Sequence, residues 1–133
     1  MKVLLDSGVW WWRFHRLPLA KGLTEFLERE VSEFWLSPVS VAEMLYKWRH
    51  KPKLLPGPDP ASWLDGALTG FRVAPFSLAV ARRAGLWDWQ HGDPADRILA
   101  ATAVELDLTL THTDLVLKAL PGFPQRYFPA VKH

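Results

Sequence analysis

Residues 91–114, HGDPADRILAATAVELDLTLTHTD, decide how this chain is read. Asp93 followed by Pro94 has the form of a helix start, with a capping acid and then the one residue whose missing N–H costs nothing in a first turn. The alanine- and leucine-rich run Ala95 to Leu106 continues that helix, and Leu108-Thr109-Leu110 reads as a short strand. Asp114 then opens another helix, predicted to reach Leu120 and stop at Pro121-Gly122. Inside the first helix, Asp96 shares a face with Leu99, Ala100 and Ala103, so its carboxylate is turned toward protein and needs a partner.

The same alternation extends in both directions. Lys2 to Asp6 is an apolar strand ended by an acid, and Ser7 to Phe14 a helix. Ala20 to Val31 is a second helix, and Phe34 to Leu36 a second strand closed by Ser37-Pro38. Val41, Met44, Leu45 and Trp48 form one apolar stripe of a helix that fades by Lys51-Pro52. A proline-rich loop over Leu55 to Pro60 precedes a weak helix, Trp63 to Leu68. A strand at Phe71 to Phe76, a helix at Ser77 to Leu86 and a last strand at Arg126 to Phe128 complete the pattern. Strands alternating with helices predict an α/β fold: a three-layer sandwich around a mostly parallel sheet of four or five strands, in a single domain over 1–133. In such folds ligands bind beyond the carboxyl ends of the strands, where the strand order reverses.

Composition removes several classes. The 133 residues carry 16 Lys and Arg against 14 Asp and Glu, a net charge of +2, with no cysteine. Disulfide scaffolds, thiolate zinc sites and thiol nucleophiles are excluded. The longest stretches without a charge, Phe34 to Ala42 and Val73 to Ala81, span nine residues each, against the ~20 a membrane helix needs. The apolar part of the N-terminus is too short for a signal peptide, so a cytoplasmic protein is expected. GxGxxG, Walker and GxSxG motifs do not occur.

Four acids are expected to meet at one sheet edge. Asp6 and Asp114 follow strands, while Glu43 and Asp96 are predicted in first helical turns that overhang the same edge. Crowded carboxylates repel and raise one another's pKa, so a cation is expected among them, and an oxygen donor set selects Mg²⁺ or Mn²⁺. Each acid also has a plainer role open to it: Asp6 and Asp114 as helix caps, Asp96 as an acid at the third helical position, and Glu43 in a capping box with Ser40 or an ion pair with Lys47. The five histidines show no metal-site spacing and read as surface or loop residues, with His91 and His112 possible flanks of the cleft. Lys47, Arg49, His50, Lys51 and Lys53 form a basic stretch around Trp48 that reads as a solvated helix end or, beside an acid cluster, as cations holding phosphates that flank the metal. Trp48 is expected on the core-facing side of its helix.

The segments MKVLLDSGVWWW, LSPVSVAEMLYKWR and HGDPADRILAATAVELDLTLTHTD resemble, in order, the motif blocks of PIN-domain ribonucleases, especially the VapC-like toxins of toxin–antitoxin systems. The resemblance implies a metal-dependent endoribonuclease in which Asp6, Glu43, Asp96 and Asp114 hold Mg²⁺ or Mn²⁺ and cleave RNA. Asp93, Ser40 and Thr113 are assigned capping or supporting roles. It also implies a small antitoxin partner whose tail fills the cleft, and a homodimer. Many relatives carry Thr two residues before the fourth acid, where this chain has His112. The competing reading is a non-catalytic PIN-like module that binds RNA or protein, its acids only capping helices. An aspartyl phosphatase is disfavoured because Asp6-Ser7-Gly8 lacks the second acid two residues on.

Overall fold

β1 (Lys2–Leu5) lies at the centre of a sheet of five strands in the computed structural model, which describes residues 1–50 and 60–132. The other strands are β2 (Glu33–Leu36), β3 (Phe71–Val73), β4 (Thr109–His112) and β5 (Gln125–Tyr127), in the order β3-β2-β1-β4-β5. Every pairing is parallel, with Val3 opposite Phe34 on one side and Thr109 on the other. The expectation of a mostly parallel sheet becomes a wholly parallel one.

Parallel neighbours need crossover helices, and their placement follows from the strand order. The chain winds outward from β1 to β3 through α1 (Ser7–Phe14), α2 (Lys21–Arg29), α3 (Pro38–His50) and α4 (Pro60–Ala67). It then returns past β1 to β4 and β5 through α5 (Leu78–Leu86), α6 (Pro94–Leu106) and α7 (Leu115–Lys118). Reversing the winding direction puts the second set of helices on the opposite face. The alternation in β1 records both faces: Val3 and Leu5 join Val9, Trp10, Phe26 and Met44 in one core, while Leu4 joins Leu99, Ala103, Leu110 and Leu117 in the other. Among the described residues no helix is long and apolar enough to cross a membrane.

Several boundaries differ from the sequence reading for local reasons. α3 begins at Pro38, because the Ser37 hydroxyl accepts the Val39 N–H at 3.1 Å and caps the helix with proline at its first position. Ser40 is therefore not a cap: it sits fully buried in the first turn, and the capping box with Glu43 does not form. Glu43 falls in the second turn. The Leu55–Pro60 loop lies outside the described residues up to 59, and Pro60 itself starts α4. β3 ends at Val73 instead of Phe76, and β4 runs on to His112 instead of ending at Leu110. α6 stops where Asp107 adopts φ 55°, a left-handed turn that aspartate tolerates.

Leu110, at 0% exposure in the central core, and Leu115, at 67%, give a direct contrast. Leu110→Ala is expected to lower unfolding free energy by about 2–5 kcal/mol. Leu115→Ala should change it by no more than about 0.5 kcal/mol. Urea titration of both variants checks this.

Candidate active site

Strand order reverses between β1 and β4, and the space beyond their carboxyl ends is a cleft of about 510 Å³ lined by Asp6, Glu43, Asp93, Asp96 and Asp114. Asp6 is the innermost. It follows β1 directly, its N–H is held by the Thr111 carbonyl at 3.0 Å, and its side chain makes no capping bond to α1. Burial pushes its carboxyl up from the usual 3.8 to about 7, with Asp96, Glu43 and Asp114 adding repulsion and the Ser7 amide partly opposing the shift.

Asp96 sits in the first turn of α6, and its partner is His91, whose Nε2 lies 2.7 Å from Oδ2. Burial raises the Asp96 pKa, and the repulsion of Asp93 and Asp114 adds to it, while the His91 bond pulls it back. Asp93 caps α6, accepting the Ala95 and Asp96 N–H groups on Oδ1 at 2.9 and 3.3 Å. The loop that carries His91 is fastened by Arg97, which donates to the carbonyls of Ala84, Trp87, Trp89 and His91.

Asp114 uses Oδ1 to cap α7 through the Val116 N–H at 2.8 Å and still faces the cleft. Its own N–H donates to His112 Nδ1 at 3.1 Å. Because Nδ1 accepts, the ring proton belongs on Nε2, which meets Gln125 Oε1 at 2.8 Å; Gln125 Nε2 donates to the Leu120 carbonyl. His112 is fully buried, and burial lowers its pKa. It therefore supplies from an imidazole the acceptor that a hydroxyl at this position would give, and Thr113 is not the residue that holds the turn.

Lys47 lines the cleft four residues after Glu43, but no ion pair joins the two. Arg49 and His50 do not line it; His50 instead stacks on Tyr46 with Nδ1 at 2.9 Å from the Tyr46 carbonyl. Lys51 and Lys53 lie outside the described residues. Trp48, expected to face only the core, packs on the core edge and also forms cleft wall, with Trp11, Trp12 and Met44.

The site fits a hard cation on three observations. Five carboxylates line one space, and one of them, Asp6, is pushed to about 7 by burial and its neighbours. The donors are oxygen. The Ser7 hydroxyl, buried in the cleft lining, has no hydrogen-bond partner in the protein. One addition was not expected from spacing: His91, Asp93 and Asp96 offer ligand atoms within 4.8 Å of one another, so a histidine nitrogen does stand near the acids.

A parallel α/β sandwich with an acid-lined cleft at its switch point belongs to the class of folds that bind ligands at that edge. Within it the chain belongs to the PIN domain family, whose profile matches residues 3–122. Its fold is similar to that in the VapBC2 complex of Rickettsia felis bound to promoter DNA: TM-score 0.71, 18% identity, covering 96% of this chain and 98% of that one. It is similar to DNA-bound VapBC from Salmonella typhimurium, with TM-score 0.72, 16% identity and coverage of 96% and 98%. FitAcB from Neisseria gonorrhoeae superposes with TM-score 0.61, 24% identity and coverage of 84% and 87%. No curated protein matches the sequence.

Asp6 sets a pH dependence. Its folded pKa near 7 exceeds the unfolded 3.8, so between these values the folded state keeps a proton that the unfolded state has lost. The metal-free protein is then destabilised as pH rises through that window, by on the order of 4 kcal/mol from this group by pH 8. Asp6→Asn should remove most of this slope and be the more stable form at pH 8 in EDTA, measured by urea midpoints from pH 5 to 8. For His112, replacement by Leu removes the acceptor for the Asp114 N–H, whereas Asn can restore it as an Asx turn. His112→Leu is expected to weaken Mn²⁺ binding by roughly 10- to 100-fold and His112→Asn by much less, read by calorimetry.

Proposed function

We propose that this protein is a Mg²⁺- or Mn²⁺-dependent endoribonuclease, a single nuclease domain over residues 1–133, acting as the toxin of a toxin–antitoxin pair in the cytoplasm. The observation that carries the reading is the buried Asp6 carboxyl at the sheet edge, facing Glu43, Asp96 and Asp114 in one cleft. Membership of the PIN domain family supports nuclease chemistry. The fold likeness to VapBC assemblies supports an antitoxin partner, and the proposal includes a homodimer.

Asp6, Glu43, Asp96 and Asp114 would hold the cation. When bound, it supplies a Lewis acid for the phosphodiester and acidifies the attacking water. Asp6 approaches from the strand end, Asp96 and Glu43 from helices above it, and Asp114 from the opposite side of the switch point. His91 on Oδ2 of Asp96, and the His112 bond at the Asp114 turn, fix the aim of those two carboxylates. Ser7 offers an unspent hydroxyl to the bound phosphate or its water. A carboxylate of the cluster orients the nucleophile and accepts its proton. Lys47, on the cleft wall, neutralises an adjacent phosphate, with Arg49 as an outer cationic contact. In-line attack by water leaves 5′-phosphate and 3′-hydroxyl ends.

Asp96→Asn should reduce cleavage of a single-stranded RNA by more than the roughly 10- to 100-fold typical of supporting residues, with the fold intact by circular dichroism. Mn²⁺ should raise the melting temperature of the native chain but not of this variant. Full cleavage in EDTA, or an equal Mn²⁺ shift in both proteins, would leave the acids as helix caps and the chain as a binding module.

A further inference from the structure

Asp96 and Asp114 are aimed by different histidines, yet one short segment, the stretch from Leu120 to Gln125 that leads from α7 into β5, stands behind both. At its far end Gln125 donates from Nε2 to the Leu120 carbonyl at 2.9 Å and meets His112 Nε2 with Oε1 at 2.8 Å, which is the Asp114 side. In its middle, Gly122 and Phe123 lie against the loop that carries His91. The Phe123 ring centre is 5.5 Å from that of Trp89 and 6.1 Å, edge-on, from that of Trp87, and the two indoles stack at 4.1 Å. Gly122 has φ 99°, and a Cβ there would stand 3.2 Å from Trp87 Nε1, so a residue without a side chain lets the indole close on the segment. The carbonyls of Trp87 and Trp89 go to the Arg97 guanidinium, which also takes the His91 carbonyl, and His91 Nε2 lies 2.7 Å from Asp96 Oδ2. Leu120 and Phe123 themselves pack on the core of Leu4, Leu99 and Leu110.

We propose that the Leu120–Gln125 segment is a brace that fixes Asp96 and Asp114 relative to each other, with Phe123 the positioning residue on the Asp96 side; this rests on the nuclease reading above. The two carboxylates repel across the cleft, and a cation shared by them needs their oxygens held at one separation. Arg97 belongs to α6, the helix that carries Asp96, so its bonds tie the His91 loop to its own helix. The contacts with Gly122 and Phe123 tie that loop to the β5 side, where Asp114 is held. Two separate anchors would each add their own motion to the gap between the carboxylates, and a common one removes that freedom. Phe123 does not line the cleft, so it acts only through Trp87, Trp89 and the histidine they carry.

The test reads Mn²⁺ affinity by calorimetry and, in the metal-free protein at fixed pH, the His91 imidazole signals in a ¹⁵N-correlated spectrum, assigned by their loss in His91→Ala. Phe123→Leu should weaken Mn²⁺ binding by roughly 2- to 30-fold, the range for residues that act through a chain of contacts. It should also shift the His91 signals, while Phe123→Tyr, which keeps the ring, stays near native in both. In a His91→Ala background Phe123→Leu should add no further loss, because the route to Asp96 is already cut. Phe71→Leu takes the same ring from the opposite core, where Phe71 packs on Phe34, and should lower the melting temperature without moving either readout. Native Mn²⁺ affinity in Phe123→Leu, the same loss with and without His91, or an equal effect of Phe71→Leu would overturn the brace. RNA cleavage by the native chain, run in parallel, separates the two claims. If the native chain binds Mn²⁺ and cleaves, and Phe123→Leu does both equally well, the brace alone falls; if the native chain neither binds Mn²⁺ nor cleaves, the nuclease reading falls and the brace with it.

Discussion

Asp6 stands at the end of the central strand of the sheet, at the point where the chain's winding reverses, and its carboxyl is pushed toward neutrality by that position. A central parallel strand is covered on both faces, so whatever follows it at the switch point is screened from water before any neighbour is considered. Here the neighbours are three more acids. The metal-free cleft is therefore a place where the fold works against its own stability, held open by packing elsewhere: Val3 and Leu5 on one face and Leu4 on the other are fully buried. Neutralising the cluster, by protons or by a cation, relieves this strain.

Each acid is positioned by a different part of the chain. Asp96 depends on His91, which depends on Arg97, whose guanidinium gathers three carbonyls of the preceding loop and one, Ala84's, from the last turn of α5. Asp114 depends on His112, whose tautomer is set by Gln125 from the edge strand β5. β5 is short, with three residues, yet it reaches the site through that one amide. Orientation of the carboxylates is thus distributed over loops and an edge strand, while their location is set by the sheet.

The sheet, the helix order and the four acids were legible in the sequence because each follows from a local signal: a strand ended by an acid, Pro94 after a capping Asp93, a stripe at helical spacing. What was not legible depends on contacts between distant segments. His91 and His112 carry no spacing motif, since their partners Asp96 and Gln125 are fixed by tertiary packing. The Ser40–Glu43 capping box was a true pattern defeated by a competing one, as Ser37-Pro38 starts the helix a turn earlier. Trp48 belongs to an apolar stripe, but a stripe does not say where the core ends and a cleft begins. Arg49 and His50 share a basic run with Lys47, yet of the three only Lys47 lines the cleft: Arg49 lies about 200° further round the helix, and His50, a turn on, stacks on Tyr46.

Location and selectivity also separate along the chain. At 16–24% identity, the solved structures compared with this chain retain its topology with TM-scores of 0.61 to 0.72. Strand order brings the ends of β1 and β4 together, and with them Asp6 and Asp114. The walls answer to no such constraint. Trp12 and Trp48 are partly buried against the core on their side of the sheet and also line the cleft, and a Cβ at Gly8 would lie 3.5 Å from the Trp12 ring. A fold organised this way can keep one acid-lined edge and change the walls around it by altering the faces of α1 and α3.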